Sequence, residues 1–331
     1  MKHANISIFV PHMGCRFRCS FCNQVNITGS VKTPHAEDVD KAVKIALSSP
    51  KYDPQNTEIA FFGGSFTAVE RSYMCELLSA AEKYVKNGAV AGIRLSTRPD
   101  AIDREVLEIL KSAGVTSIEL GAQSMSDRVL GINNRGHLSE DVKNASRLIK
   151  EYGFSLGLQM MTGLYGSTVD DDRKTANELA KLKPDTVRIY PTIVLKNTEL
   201  AKLYKQGIYE PPTLSQTVKL CGELLDMFQA SGIKVIRLGL HSVEKESYIA
   251  GPLHPSLREL CESEIYLALA QKALKGKEKG KYILFVNDRA VSKMTGQKRA
   301  NIEKLRKMGY DCRVTADSGL CDREINLKMV W

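Results

Sequence analysis

The sequence predicts an α/β protein: an incomplete (β/α)6 barrel of the TIM type, followed by a small α+β module. Three observations carry this. Short β-rich runs alternate with longer helical patterns, six candidate strands fall before residue 192, and a Gly- and Lys-rich run then sets off a basic C-terminal segment.

The candidate strands are Ile6–Pro11, Glu58–Phe62, Ile93–Ser96, Ser117–Leu120, Leu156–Met161 and Thr186–Pro191. Between them lie Ala36–Leu47, Arg71–Val85, Arg104–Ala113, Ser139–Tyr152 and Asp171–Leu182, each with apolar residues three and four apart, as a helix packed on a sheet requires. Six units favour an open barrel over a closed eight-unit one, with its chemistry at the C-terminal ends of the strands. A long helix, Leu214–Gln229, leads to a further strand-like run, Lys234–Gly239. The helix Ser256–Leu274 then ends in Lys-Gly-Lys-Glu-Lys-Gly-Lys, residues 275–281, whose glycines and like charges read as a linker. Beyond it come a strand at Tyr282–Val286, a helix at Arg299–Met308 and two further strands at Asp311–Ala316 and Ile325–Val330. The expected division is therefore a barrel with a post-barrel extension over 1–274, a basic linker over 275–281 and a module over 282–331.

The composition is that of a globular chain, with 43% hydrophobic and 26% charged residues. No run approaches the ~18 apolar residues of a membrane span, and the N-terminus reads as a first strand rather than a signal peptide. Eight cysteines without an export signal are expected to be thiols or metal ligands in a reducing cytoplasm. The net charge of +9 is concentrated at the end: residues 271–331 carry 15 Lys+Arg against 7 Asp+Glu. Such a segment suits a polyanionic partner, nucleic acid first, although a solvated tail has the same composition.

The main chemical signal follows the first strand: Gly14-Cys15-Arg16-Phe17-Arg18-Cys19-Ser20-Phe21-Cys22-Asn23, a C-x3-C-x2-C spacing. One loop of this kind wraps one metal centre with soft thiolates, suited to iron or zinc. Three ligands to a four-iron cubane leave one iron open, while a structural zinc site with His12 or Cys75 as fourth ligand fits the same triplet. Further polar groups stand at the strand ends. These are Phe62-Gly63-Gly64-Ser65-Phe66-Thr67, Ser96-Thr97-Arg98-Pro99-Asp100, Glu119-Leu120-Gly121-Ala122-Gln123-Ser124 with Asn134-Arg135-Gly136-His137, and Gln159-Met160-Met161-Thr162-Gly163.

The cysteine spacing, the aromatic before the last cysteine and the position after the first strand together resemble the radical S-adenosylmethionine (SAM) superfamily. The strand ends resemble the branch of the Elongator catalytic subunit and, more distantly, oxygen-independent coproporphyrinogen III oxidase. The resemblance covers roughly residues 5 to 270 and rests also on Arg188-Ile189-Tyr190-Pro191, Arg237-Leu238-Gly239-Leu240-His241 and Ala250-Gly251-Pro252-Leu253-His254-Pro255. It implies that Cys15, Cys19 and Cys22 ligate a [4Fe-4S] cluster whose open iron chelates SAM, giving a 5′-deoxyadenosyl radical on one-electron reduction. It further implies that Phe21, Gly63, Gly64, Ser65, Ser96, Gln123, Arg135 and Gln159 surround SAM, with the Gly-Gly pair at its amino group and Arg135, a planar bidentate donor, at its carboxylate. Arg188, Tyr190 and His241 are the candidate catalytic residues, with Tyr190 as substrate contact or radical relay and His241 as acid–base group or ligand. His254 is considered for the same roles, though single residues of this kind more often serve a core or loop. An electron donor such as flavodoxin or ferredoxin is expected.

Two features depart from the branch. The cysteine spacing of eukaryotic Elongator subunits is absent, and no acetyltransferase domain follows the barrel, so carboxymethylation using acetyl-CoA is not expected. Methylthiotransferases match less well.

In the basic segment, Lys293-Met294-Thr295-Gly296-Gln297-Lys298-Arg299-Ala300-Asn301-Ile302 resembles the Gly-x-x-Gly loop and helix of a KH RNA-binding unit, with Arg299 where the second glycine is expected. The resemblance implies RNA contacts from Lys293, Lys298 and Arg299, or a degenerate module with a structural role alone. Cys312 and Cys321 are expected to be small buried residues. The leading reading is a radical SAM enzyme acting on RNA, with tRNA the candidate. Its rivals are an RNA-associated iron–sulfur redox sensor and a radical enzyme acting on a small metabolite or tetrapyrrole.

Overall fold

The computed structural model describes residues 3–10, 18–23, 33–240, 243 and 246–330. Cys15 and His241 lie outside them. Seven strands form one parallel sheet in chain order: β1 (Ala4–Val10), β2 (Thr57–Gly63), β3 (Gly92–Thr97), β4 (Val115–Gln123), β5 (Ser155–Thr162), β6 (Thr186–Pro191) and, after a short hairpin strand β7 (Val194–Leu195), β8 (Lys234–Leu238). All six expected strands are present. The further run Lys234–Gly239 joins the same sheet beside β6, so the barrel arc is one strand longer than the six-unit count. Short β7 pairs antiparallel with β9 (Tyr248–Ala250).

The connecting helices are α1 (Ala36–Leu47), α2 (Arg71–Lys86), α3 (Arg104–Ser112), α4 (Asp127–Ile132), α5 (Ser139–Glu151), α6 (Val169–Lys181) and α7 (Glu199–Lys205). Three of them start on a side-chain cap from the residue before the helix: Asp103 accepts from Val106 N at 2.8 Å, Thr168 from Asp171 N at 3.1 Å and Thr198 from Ala201 N at 3.1 Å. Each such cap satisfies a helix N–H that has no partner within the helix, and is worth about 1 kcal/mol.

One sheet face is apolar and buried, with Ile59, Phe61, Ile93, Leu95, Ile118, Leu120, Leu156, Leu158, Val187 and Ile189 fully or nearly excluded from water. The other face is polar. At the N-terminal end of the strands an ionic group closes it: Glu58 is ion-paired with Arg94 at 2.9 Å and accepts from Thr116 at 2.6 Å, and His3 stands 3.3 Å away. The C-terminal end carries the candidate site.

By packing, the chain divides into two compact units. The first comprises 1–212 and 231–252. The second comprises 213–230 and 253–331, and so takes in α8 (Leu214–Ala230) and α9 (Leu257–Leu274) as well as the C-terminal strands. Packing thus groups residues differently from composition, because a helix joins whichever core its apolar side enters. Tyr266, Leu267, Ala270 and Leu274 of α9 enter the core built on Tyr282, Leu284 and Val286. Part of the basic run 275–281 is strand, since β10 spans Gly280–Val286. Two helices, α10 (Val291–Thr295) and α11 (Ala300–Lys307), then precede β11 (Tyr310–Ala316) and β12 (Ile325–Val330). The sheet order is β11-β10-β12, with β10 parallel to β11 and antiparallel to β12. Cys312 is buried as expected, but Cys321 is exposed, because it falls in the turn before β12.

Candidate functional site

Parallel register sets the polar residues of the open sheet face side by side. Ser96 lies beside Glu119, Gly121 beside Gln159, Gln159 beside Arg188, and Arg188 beside Arg237. Pairing shifts between Gly121 and Gln123, and Gln123 takes a left-handed backbone (φ 65°). A non-glycine residue held there carries local strain, which at a strand end re-aims a side chain. Gln159 Nε2 donates to Gln123 Oε1 at 3.4 Å.

Arg135 reaches this group from the turn after α4. Left-handed Asn134 (φ 53°) and Gly136 (φ 70°) flank it and throw its side chain back over the end of β4. Its Nη2 donates to Gly121 O at 2.7 Å and its Nη1 to Cys19 Sγ at 3.4 Å, while buried Nε has no partner. Gly121 is what makes room. A Cβ there would stand 2.8 Å from Arg135 Nη2 and 2.9 Å from Gln123 Nε2.

The cysteine loop is pinned by residues to which the sequence reading gave no role. Ser20 donates its hydroxyl to Asn133 Oδ1 at 2.6 Å and its N–H to Asn133 O at 3.0 Å. Buried Asn133 in turn donates to Val129 O and Tyr165 O. Leu200 N–H donates to Ser20 O at 2.8 Å, and Cys22 N–H to Cys19 O at 3.1 Å. A buried side-chain amide that joins the loop to the end of α4 and to the turn at Tyr165 is the expected anchor for a loop without regular structure.

Not every expected residue joins the cluster. Ser65 is fully buried, its hydroxyl held 2.9 Å from Thr97 Oγ1 and accepting from Arg98 N–H at 3.1 Å, so it ties the ends of β2 and β3 together. Phe21 packs against Val194, Leu200, Ala201 and Tyr209. At Gly63 (φ 115°) the close backbone approach is to β1: a Cβ there would stand 2.6 Å from Val10 O, and Gly64 N–H donates to that same carbonyl at 2.7 Å.

Of the candidate catalytic residues, Arg188 and Tyr190 come together. Arg188 Nε donates to Glu119 Oε2 at 2.6 Å and Nη1 to Tyr190 Oη at 3.3 Å, with the guanidinium 5.4 Å from the Phe62 ring centroid. Burial pushes the Tyr190 phenol up, so it stands protonated at neutral pH. Glu119 is not among the site residues expected from sequence, although one acid between Ile118 and Leu120 in an apolar strand is a legible sign of an inward-facing partner. Arg237 holds the loop ahead of His241 by donating to Gly239 O and Leu240 O. His254 Nδ1 accepts from Ser256 N–H, a local turn contact. His137 is buried behind the site, 3.2 Å from Ala122 O. Its pKa is depressed to about 3, first by burial and then by Arg135, so it is neutral.

In the second unit, Gly296-Gln297-Lys298-Arg299 links α10 to α11. Lys298 (φ 52°) and Arg299 (φ 64°) both adopt left-handed backbones, so Arg299 takes up the conformation for which a glycine was expected. Asn301, buried behind the turn, donates to Ser263 and to Lys293 O. Lys293 is ion-paired with Glu262 at 3.2 Å.

The donor set fits a radical SAM site. Two of the three cysteines sit in a braced loop, an arginine with an unpartnered buried N–H lies beside one of them, and two amide side chains, Gln123 and Gln159, adjoin it across Gly121. Comparison with known proteins agrees. The Radical SAM superfamily profile matches residues 9–179, and that of the Radical SAM C-terminal domain matches 184–266. The tRNA uridine(34) acetyltransferase of Methanocaldococcus infernus is 32% identical over 46% of this chain and 33% of its own length. Human Elongator complex protein 3 is 28% identical over 61% of this chain and 40% of its own. This chain therefore spans less than half the length of either. The solved structure of the M. infernus Elp3 aligns with a TM-score of 0.64 at 20% identity, over 83% of this chain and 64% of that one. Methylornithine synthase aligns at 0.51 and 13%, over 94% and 83%. Both of these share the fold. Members of the superfamily use a [4Fe-4S] cluster and SAM, and the cysteine loop with Arg135 beside it is the part of this chain suited to them. The chain belongs to the radical SAM superfamily.

Proposed function

We propose that this protein cleaves SAM reductively and uses the resulting 5′-deoxyadenosyl radical to modify RNA, with tRNA as the candidate substrate. The observation that carries the reading is the convergence of Cys19, Arg135, Gln123 and Gln159 at the C-terminal ends of the strands, next to a second polar patch of Glu119, Arg188 and Tyr190. When bound, the cluster supplies one electron to the SAM sulfonium. The chain's own residues do the rest. Cys15, Cys19 and Cys22 would hold the cluster, and Arg135, whose buried Nε has no partner, would offer that N–H to the SAM carboxylate. Gln123 and Gln159 would offer amide groups to the ribose hydroxyls, while Gly63 and Gly64 keep the ends of β1 and β2 in close contact. Ser96 lines the same face. Contacts of this kind would orient SAM toward the substrate and away from water.

Arg188 and Tyr190 lie on the neighbouring strand, where a substrate would sit. Tyr190 presents a protonated hydroxyl whose position is set through Arg188 by Glu119. Support for an RNA substrate comes from relatives named for tRNA uridine 34 and from the basic C-terminal residues. In this reading the first unit carries the chemistry, residues 282–331 present the RNA, and a flavodoxin or ferredoxin supplies the electron. Among the described residues no helix is long and apolar enough to cross a membrane.

The test is anaerobic reconstitution with iron, sulfide, dithionite and SAM, which is expected to release 5′-deoxyadenosine and to lose that product in Cys19→Ala. An intact four-iron cluster that binds SAM and yields none would refute the reading. Comparison of modified nucleosides in RNA from cells with and without the gene then identifies the substrate, and an unchanged nucleoside profile refutes the RNA assignment.

A further inference from the structure

The three-stranded sheet of the second unit has two unlike faces. Tyr282, Leu284 and Val286 of the central strand β10 point into the core with Tyr310 and Cys312. The alternating residues Lys281, Ile283 and Phe285 point the other way. Register completes that second face row by row. Asp311, Lys281 and Val330 form one row, Arg313, Ile283 and Lys328 the next, and Thr315, Phe285 and Asn326 the third. Lys281, Arg313, Lys328, Asn326 and Val330 are exposed, and Ile283 and Phe285 are half-buried between them.

The charge on this face is unbalanced. Lys281, Arg313 and Lys328 meet no carboxylate among the described residues, while the one acid, Asp311, is engaged by Arg306 at 3.5 Å. By contrast, Lys293 near the Gly296–Arg299 turn already has its carboxylate in Glu262. An apolar and aromatic centre flanked by unpaired cations, with an amide and a hydroxyl beside the aromatic ring, matches one ligand chemistry. It offers a stacking platform for bases, positive charge for phosphates and hydrogen-bonding groups for base edges. A second copy of the chain placed on the same face through a two-fold axis would bring Arg313 and Lys328 against their own kind, which disfavours self-association there.

We propose that this open face, with Ile283 and Phe285 at its centre and Arg313 and Lys328 on either side of Ile283, binds single-stranded RNA. The inference rests on the reading of RNA as substrate and assigns the contact to the sheet rather than to the Gly296–Arg299 turn. Phe285 stacks a base, Arg313 and Lys328 take phosphates on either side, and Asn326 and Thr315 face the edge of the stacked base.

The test uses the full chain and a short fluorescein-labelled oligouridylate, read by fluorescence anisotropy over a range of salt. Phe285→Ala is expected to weaken binding about tenfold or more. Because Phe285 is half-buried, the second variant is Arg313→Gln with Lys328→Gln, two exposed positions whose change spares the core. It is expected to lower the slope of log affinity against log salt by about 1.4, the share of two phosphates on a single strand. Unchanged affinity and slope in both variants, with the oligonucleotide bound by the native chain, would overturn this assignment and leave the RNA reading standing. Failure of the native chain to bind either the oligonucleotide or total tRNA would overturn both. A dimer in sedimentation velocity that Phe285→Ala abolishes would give the face to a second copy and overturn it as well.

Discussion

Replacing Gly121 by alanine perturbs the candidate site at one atom. The backbone there is ordinary strand, so the added methyl costs nothing in backbone conformation, but its Cβ would stand 2.8 Å from Arg135 Nη2 and 2.9 Å from Gln123 Nε2. Both are well inside the roughly 3.5 Å of ordinary carbon contact. Arg135 is 8% exposed and anchored by its 2.7 Å bond to Gly121 O and its contact with Cys19, so its guanidinium cannot swing away without losing one of them. Loss of one charged hydrogen bond is worth about 1.5–3 kcal/mol, roughly ten- to hundredfold in affinity. Gly121→Ala is therefore expected to weaken SAM binding by that factor in the reconstituted protein, measured by calorimetry under anaerobic conditions. The four-iron absorbance and the thermal midpoint should be nearly unchanged. SAM affinity equal to that of the native protein would refute the placement of SAM against Arg135 and Gln123. A lost cluster together with a lowered midpoint would show that Gly121 serves packing instead.

Three further outcomes are expected. Glu119→Gln leaves Arg188 buried without its counter-charge and should cost about 3 kcal/mol in urea unfolding, whereas Glu119→Ala combined with Arg188→Met should cost less than either single change. His137, held near a pKa of about 3 against its ordinary 6.5, refuses a proton that the unfolded chain accepts. Stability should therefore fall as pH is lowered from 6.5 towards 3, by up to about 1.4 kcal/mol per pH unit from this group, and His137→Gln should flatten that slope in urea titrations at pH 7 and 5. Arg299→Gly relieves a left-handed backbone at an exposed turn and should stabilise the second unit by about 0.5–1 kcal/mol, seen as a higher thermal midpoint.

The C-x3-C-x2-C triplet, the strand-and-helix alternation and the polar strand ends are local patterns, so the chain order alone exposed the barrel and the polar groups at its strand ends. Helix limits followed from spacing and caps, as for Ala36–Leu47, which the sequence reading and the structure bound alike. What the linear order could not expose is which polar group meets which. Ser65 and Ser96 looked equivalent, yet Ser65 spends its hydroxyl on Thr97 and Arg98 while Ser96 lies on the open face.

By itself the sequence determined that three thiols share one loop, that an α/β barrel follows and that the positive charge collects after residue 270, because spacing, periodicity and composition are properties of neighbours in the chain. Only the tertiary structure decided that Arg135 lies against Cys19, 116 positions away, that Glu119 governs Arg188 and that Asn133 anchors the cysteine loop. It likewise decided that α8 and α9 belong with the C-terminal sheet and that Phe285, Arg313 and Lys328 share a face. Those relations arise from register and burial across distant segments, where desolvation forces each polar group to find a partner that no local pattern specifies.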